Sequence, residues 1–220
     1  MPNSIGTDPK RVFKWVENFS FKYSAICKLP GNKLEKIYSS FARKLEKAIG
    51  ESKDVHKKVQ AIFEEFKKEL KQEEPGIEQF KEAFSEISYG RSETNRHLCK
   101  YVLDKINSLD QSSEFDFTSV NIEHLLPQKP DKEWGLKAKD IKPYVNKLGN
   151  LTLVHKKINS SIGNKFIKEK IEELSTSGVS MTMKLLDYLK EIKYNWNEDE
   201  INKRHNDLAE IAYDKAWEIE

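Results

Sequence analysis

Apolar residues recur at three- and four-residue steps through the first hundred positions. Leu34, Ile37, Tyr38, Phe41 and Leu45 form one stripe, and Val55, Val59, Ile62, Phe63, Phe66 and Leu70 a second, with lysine and glutamate between them. That spacing turns one face of a helix to a core and the other to water. Asp8-Pro9 predicts the start of an earlier helix through Phe13, Trp15, Val16 and Phe19, since aspartate caps free amides and proline suits a first turn. Pro30-Gly31 and Pro75-Gly76 punctuate the series. Ile77, Phe80, Phe84 and Ile87 then mark a short helix, and Leu98, Tyr101, Val102 and Ile106 the buried side of another between Ser92 and about Leu109.

The period changes at Ser112-Ser113. Phe115, Phe117, Val120 and Ile122 fall largely at alternating positions, which predicts a half-buried strand ending near Glu123-His124. Pro127, Pro130 and Pro143 make the next stretch a loop with at most a short helix from Ala138 to Asn146, after which Leu151 to Val154 suits a second strand. Helical spacing returns at Phe166, Ile167, Ile171 and Leu174, placing Asn159 before or at the start of that helix. Two more helices are expected, Met183 to Ile192 and Glu198 to Glu220, the latter capped by Asn197 with acidic residues in its first turn. The expected class is α+β, mainly helical around a small strand–loop–strand–helix core. It divides into a helical N-terminal subdomain over 1–111, the core over 112–176, and C-terminal helices over 177–220 that pack on it.

Composition narrows the function classes. At 220 residues the chain is long enough to bury a substantial core, and 34% charged residues describe a heavily solvated surface. No run is long and apolar enough to span a bilayer, and Met1 to Lys10 lacks the basic-then-apolar order of a signal peptide, so the expected location is the cytoplasm. Cys27 and Cys99 stand far apart outside any Cys-x-x-Cys pair, so neither a structural zinc knuckle nor a disulfide framework is expected. Charge is uneven along the chain. Ser119 to Lys170 carries eleven lysines against five acidic residues, a net of +6, whereas Ile171 to Glu220 nets −6. A cationic core suits a polyphosphate partner, because lysine beside a phosphate backbone releases condensed counterions.

The candidate chemistry lies in that basic segment. Asn121-Ile122-Glu123-His124-Leu125-Leu126-Pro127 ends an apolar strand on a carboxylate and an imidazole; Leu148-Gly149-Asn150-Leu151-Thr152-Leu153 opens the second strand on an amide; Asn159 follows in a polar stretch. A base beside hard oxygen ligands is what hydrolysis of a phosphodiester with one bound metal needs. Other features have plainer explanations. His155 reads as a surface residue at a strand end, His56, His97 and His205 lack partners at metal-ligand spacing, and Trp134 reads as core.

These pieces, in this order, resemble the His-Me finger or HNH nuclease fold, and most of all the C-terminal nuclease domain of GmrSD-type modification-dependent restriction endonucleases. The resemblance is specific over Val120 to Lys170, where Asn159 is followed by Asn164-Lys165-Phe166 and Lys170. It is looser over the N-terminal helices and over Ile201 to Trp217, with Arg204, Leu208 and Ala209 between. It implies a ββα-metal core and a metal-dependent DNA endonuclease or nickase of a restriction or anti-phage system. In that reading His124 is the general base, and Asn150 orients its ring or holds the scaffold around it. Glu123 and Asn159 match the metal-ligand positions, with Asn164 the rival amide. Asn164 and Lys165 are further candidates for metal or phosphate contact, and Lys156, Lys157 and Lys168 for the nucleic-acid backbone. The implied cofactor is Mg²⁺, with Mn²⁺ able to substitute. The implied partners are DNA, including modified phage DNA, a ParB/sulfiredoxin-like nucleotide-hydrolysing domain not contained in these residues, and a second copy where both strands are cut. Two competing readings are a catalytically silent nucleic-acid-binding module and an RNA-directed toxin of the same fold, though no RNA-recognition signature occurs.

Overall fold

The computed structural model describes residues 8–51, 54–111 and 116–220, without the side chains of Glu51 and 159–161. Phe115, placed in the first strand by its alternation, lies outside the described residues. The chain folds into two compact units, one running to Phe84 and taking in Trp217–Glu220, the other Ser85–Ala216.

The first unit is helical: α1 (Pro9–Ser20), a π-helical turn (Phe21–Ile26), α2 (Gly31–Glu51), α3 (Val55–Glu73) and α4 (Ile77–Ser85). The Asp8 carboxylate accepts from the Lys10 amide at 3.0 Å and Pro9 occupies the first turn, as the sequence predicts. The apolar stripes converge on a core of Trp15, Phe19, Tyr23, Ile37, Phe66 and Leu70, which Ile219 joins from the C-terminus. Two hydrogen bonds to main-chain carbonyls fasten that terminus, Trp15 Nε1 to Glu220 and Asn18 Nδ2 to Glu218, both 2.6 Å.

The second unit contains α5 (Glu93–Asn107), β1 (Val120–His124), α6 (Ala138–Ile141), β2 (Leu151–His155), α7 (Lys156–Ile162), α8 (Ile167–Ser175), α9 (Ser180–Glu191) and α10 (Glu198–Ile211). β1 and β2 pair antiparallel, with Val120 opposite His155 and His124 opposite Leu151. Phe117 belongs to a 3₁₀ turn before β1 rather than to the strand, because the Asp116 carboxylate caps that turn through the Thr118 amide. Asn159 lies within α7, so helix begins directly after β2 instead of following a polar loop. α10 starts at Glu198 on the Asn197 cap but stops at Ile211, short of the expected Glu220, and widens into a π-helical turn over Ala212–Ala216. α5, which periodicity alone would group with the N-terminal helices, belongs to this unit and is tied to α9 by Asn107 Oδ1, which accepts from the Met181 amide at 2.9 Å.

The core of this unit gathers Leu125, Leu126, Trp134, Ile141, Val154, Ile162, Ile167, Leu186 and Trp196 around the sheet. β2 is buried along most of its length, and its Thr152 hydroxyl meets that of Thr182 on α9 at 2.8 Å. A two-stranded sheet is marginal alone. Here helices supply the missing apolar face.

Candidate active site

The candidate site lies at the C-terminal end of β1, Glu123-His124. Beyond His124 the chain dives into the core through Leu125 and Leu126, both fully buried, so the side chains of Glu123 and His124 sit where strand meets loop. They line a recess of about 230 Å³ together with Pro127, Gln128, Lys129 and Asn164. Asn164 arrives from the far side of α7, where Gly163 at φ +53° reverses the chain, a backbone conformation that L side chains rarely adopt.

The His124 imidazole is held from two directions. Its Nε2 lies 3.1 Å from Asn146 Oδ1, and the Tyr89 ring packs edge-on against it at 5.1 Å between centroids. Gln128 Nε2 donates to the same Asn146 oxygen at 2.7 Å, which fits that atom as acceptor. The Nε2 nitrogen then carries the proton and Nδ1 keeps its lone pair. Tyr89 is brought there by a short antiparallel bridge in which Ser88 faces Lys147 and the Tyr89 amide donates to the Asn146 carbonyl at 2.8 Å. Burial pushes the imidazole pKa down to about 4, with the Lys170 charge adding to the effect and the Asn146 bond opposing it. The ring is therefore neutral at physiological pH, as a proton acceptor must be.

Glu123 is nearly buried and faces Lys170 of α8, which is wholly buried. Lys170 Nζ donates to Glu123 Oε1 at 2.7 Å and to the His124 carbonyl at 2.8 Å. Burial pushes the carboxyl pKa up and the ammonium pKa down, each toward neutrality, and their mutual attraction opposes both shifts.

Asn150 makes no bond to His124. Its Nδ2 donates to the carbonyls of Leu126 and Val145 at 2.8 and 2.7 Å, and its Oδ1 accepts from the Leu126 amide at 2.9 Å and from Trp196 Nε1 at 3.0 Å. This one side chain fastens the segment after His124 to the segment before Asn146. The turn that presents it, Leu148–Asn150, is gripped by α10. Arg204 Nη1 donates to the carbonyls of Gly149 and Leu151 at 2.6 and 2.8 Å, and burial draws this guanidinium pKa down to about 10. The α10 backbone approaches so closely that a Cβ on Gly149 would lie 2.0 Å from the Ile201 carbonyl oxygen.

The remaining candidates separate. The Asn159 side chain lies outside the described residues. Lys165 pairs with Glu173 at 2.5 Å and does not line the recess, and its carbonyl accepts from the core residue Trp134. Lys156 and Lys157 follow His155, which pairs with Val120, so they begin α7 at the end of the hairpin opposite His124. Lys168 is exposed, 5.9 Å above the Tyr194 ring. Asn146, Gln128 and Tyr89 escape sequence reasoning altogether, since their roles arise only from the fold. Lys170 is visible in the sequence as the end of the matched stretch, but without a role.

The donor set suits a hard divalent ion. Glu123 offers a carboxylate and Asn164 an amide at one recess, while no three His, Cys, Asp or Glu side chains converge among the described residues. An ion that keeps most of its water and takes one or two protein oxygens fits this arrangement.

No curated protein matches the chain. The family model of the GmrSD restriction endonucleases, C-terminal domain, matches residues 74–211, well over half the length, and spans every element that builds the recess. The chain accordingly belongs to the GmrSD restriction endonuclease C-terminal domain family, a nuclease family of restriction type.

Proposed function

We infer that this protein is a metal-dependent DNA endonuclease or nickase of the HNH type, with a ββα-metal core formed by β1, β2 and α7, working in defence against foreign DNA. The observation that carries this reading is the geometry of His124, which lines a recess beside Glu123 with its Nε2 engaged by Asn146. His124 Nδ1 would take the proton of a water attacking phosphorus as the P–O bond to the 3′ oxygen breaks. Glu123, with Asn159 or Asn164, would hold Mg²⁺ or Mn²⁺, and the chemistry such an ion supplies is polarisation of the scissile phosphate and neutralisation of the leaving oxygen. Lys129 at the rim carries positive charge toward a phosphate backbone.

The test is cleavage of supercoiled plasmid by the full chain with Mg²⁺ or Mn²⁺, beside EDTA and His124→Ala. Metal-dependent nicking should fall by about 10²- to 10⁴-fold in the variant, the usual contribution of a positioned base. Linear product would point to paired sites, one in each of two copies. Plasmid left uncut with either metal, but still shifted in a gel, would replace this reading with the binding module.

A further inference from the structure

We propose that Lys170 is the positioning residue of this site, fixing the Glu123 carboxylate by one oxygen and the His124 main chain by its carbonyl, so that the two groups share one geometry. The proposal rests on the nuclease reading above and deepens it.

Burying an ammonium and a carboxylate together is a poor way to stabilise a fold. Desolvation consumes the attraction, and two apolar side chains of equal volume would do as well or better. Lys170 is fully buried all the same, and both of its hydrogen bonds go to consecutive residues at the one end of β1 that opens on a recess. Glutamate has three side-chain torsions, and a carboxylate free to sample them at a pocket mouth would present its oxygens in many directions. Tethering Oε1 at 2.7 Å removes that freedom, while Glu123 remains among the residues that line the recess. The bond to the His124 carbonyl acts on the same rigid unit, holding the backbone from which the imidazole projects. Rigid support of this kind keeps reacting groups within a fraction of an ångström of productive geometry.

Lys170→Met removes both hydrogen bonds and the charge of the one ammonium that donates them, while keeping a similar apolar length. In full-length protein, kcat at saturating plasmid should drop at least about tenfold, with KM for DNA held within about threefold, because an orienting interaction is lost and ground-state binding is not. Binding of Mn²⁺ alone, followed by the electron paramagnetic resonance of the free ion, should weaken as it does in Glu123→Gln. Adding Lys170→Met to Glu123→Gln should leave Mn²⁺ affinity where the single change put it, since Lys170 reaches the ion only through Glu123. A folded Lys170→Met protein with unchanged kcat and Mn²⁺ affinity overturns the proposal and leaves the nuclease reading intact. Wild-type protein that neither nicks plasmid nor binds Mn²⁺ removes both. Should the methionine variant not fold, Lys170→Arg decides. It keeps charge and donors but displaces them, so kcat should fall with KM unchanged, and wild-type kcat and Mn²⁺ affinity there would assign Lys170 to folding alone.

Discussion

The protonation state of His124 is set by its surroundings more than by its own chemistry. Its pKa lies at about 4 in the folded protein and near 6.5 when the chain is unfolded. Between those values the unfolded chain binds the extra proton, so this contribution to stability is fully present above about pH 6.5 and is lost as pH falls toward 4. The ring is partly exposed, which brings the loss to on the order of 1–3 kcal/mol. Urea unfolding of wild type and His124→Gln should show it: wild type loses that much more than the variant between pH 7 and pH 4. An imidazole titrating near 6.5 by NMR would contradict the burial argument. Asn150 makes a second case at this scale. Truncation to alanine strands two carbonyls, the Leu126 amide and the Trp196 indole in a dry core. At about 1–3 kcal/mol for each buried group left unpaired, with some relaxation, Asn150→Ala should cost roughly 4 kcal/mol. The urea midpoint measures it. A loss below about 1 kcal/mol would mean that water or a shifted backbone replaces the amide.

Between elements, the decisive contact is α10 against the Leu148–Asn150 turn. Gly149→Ala would drive its Cβ into the Ile201 carbonyl at 2.0 Å and the His205 amide at 2.8 Å, both rigid helix backbone. α10 must then move away, loosening Arg204 from the turn that carries Asn150. Overpacking of this kind costs on the order of 1–3 kcal/mol or more. The variant should lower the thermal midpoint and reduce nicking with it, whereas Gly163→Ala, a strained φ in open space, should lower the midpoint by less. The same contact marks what the sequence discloses. Amphipathic period is a local property, so α1, α2, α3 and β1 from Val120 onward are legible from spacing, β2 from its apolar run, and the caps at Asp8 and Asn197 from residue type. Roles that depend on distant chain are not. Asn146 stands 22 residues from the imidazole it meets, Lys170 stands 47 from Glu123, and the need for glycine at 149 is created by a helix more than fifty residues later. The end of α10 is hidden from the sequence for a related reason. Apolar spacing continues through Ala212 and Trp217, but it records which residues are buried, and the widening to a π-helical turn leaves that record unchanged.

Across the whole molecule the net charge is only +2, yet the segment bearing the recess nets +6 and the segment after it −6. Attraction for DNA would thus act locally, around β1, β2 and α7, rather than through the overall charge. Within that segment the lysines differ in what they can give. Lys170 is buried against Glu123 and Lys165 is drawn to Glu173, so neither adds much field outside the protein. Lys129 is exposed at the recess rim, next to Gln128 and three residues beyond the apolar Leu125-Leu126 anchor. Each phosphate neutralised by a lysine contributes about −0.9 to the slope of log K against log salt for duplex DNA. Lys129→Ala should therefore weaken DNA binding at low salt and flatten that slope by about 0.9, while kcat at saturating DNA stays near wild type because no reacting group moves. Lys156→Ala, at the opposite end of the hairpin, separates a local from a diffuse field. An equal flattening would describe DNA lying along the whole sheet and α7, and no change would confine the contact to the end that carries His124. Titrations at several salt concentrations on an uncleaved duplex, with EDTA present, read the electrostatic contact apart from the chemistry.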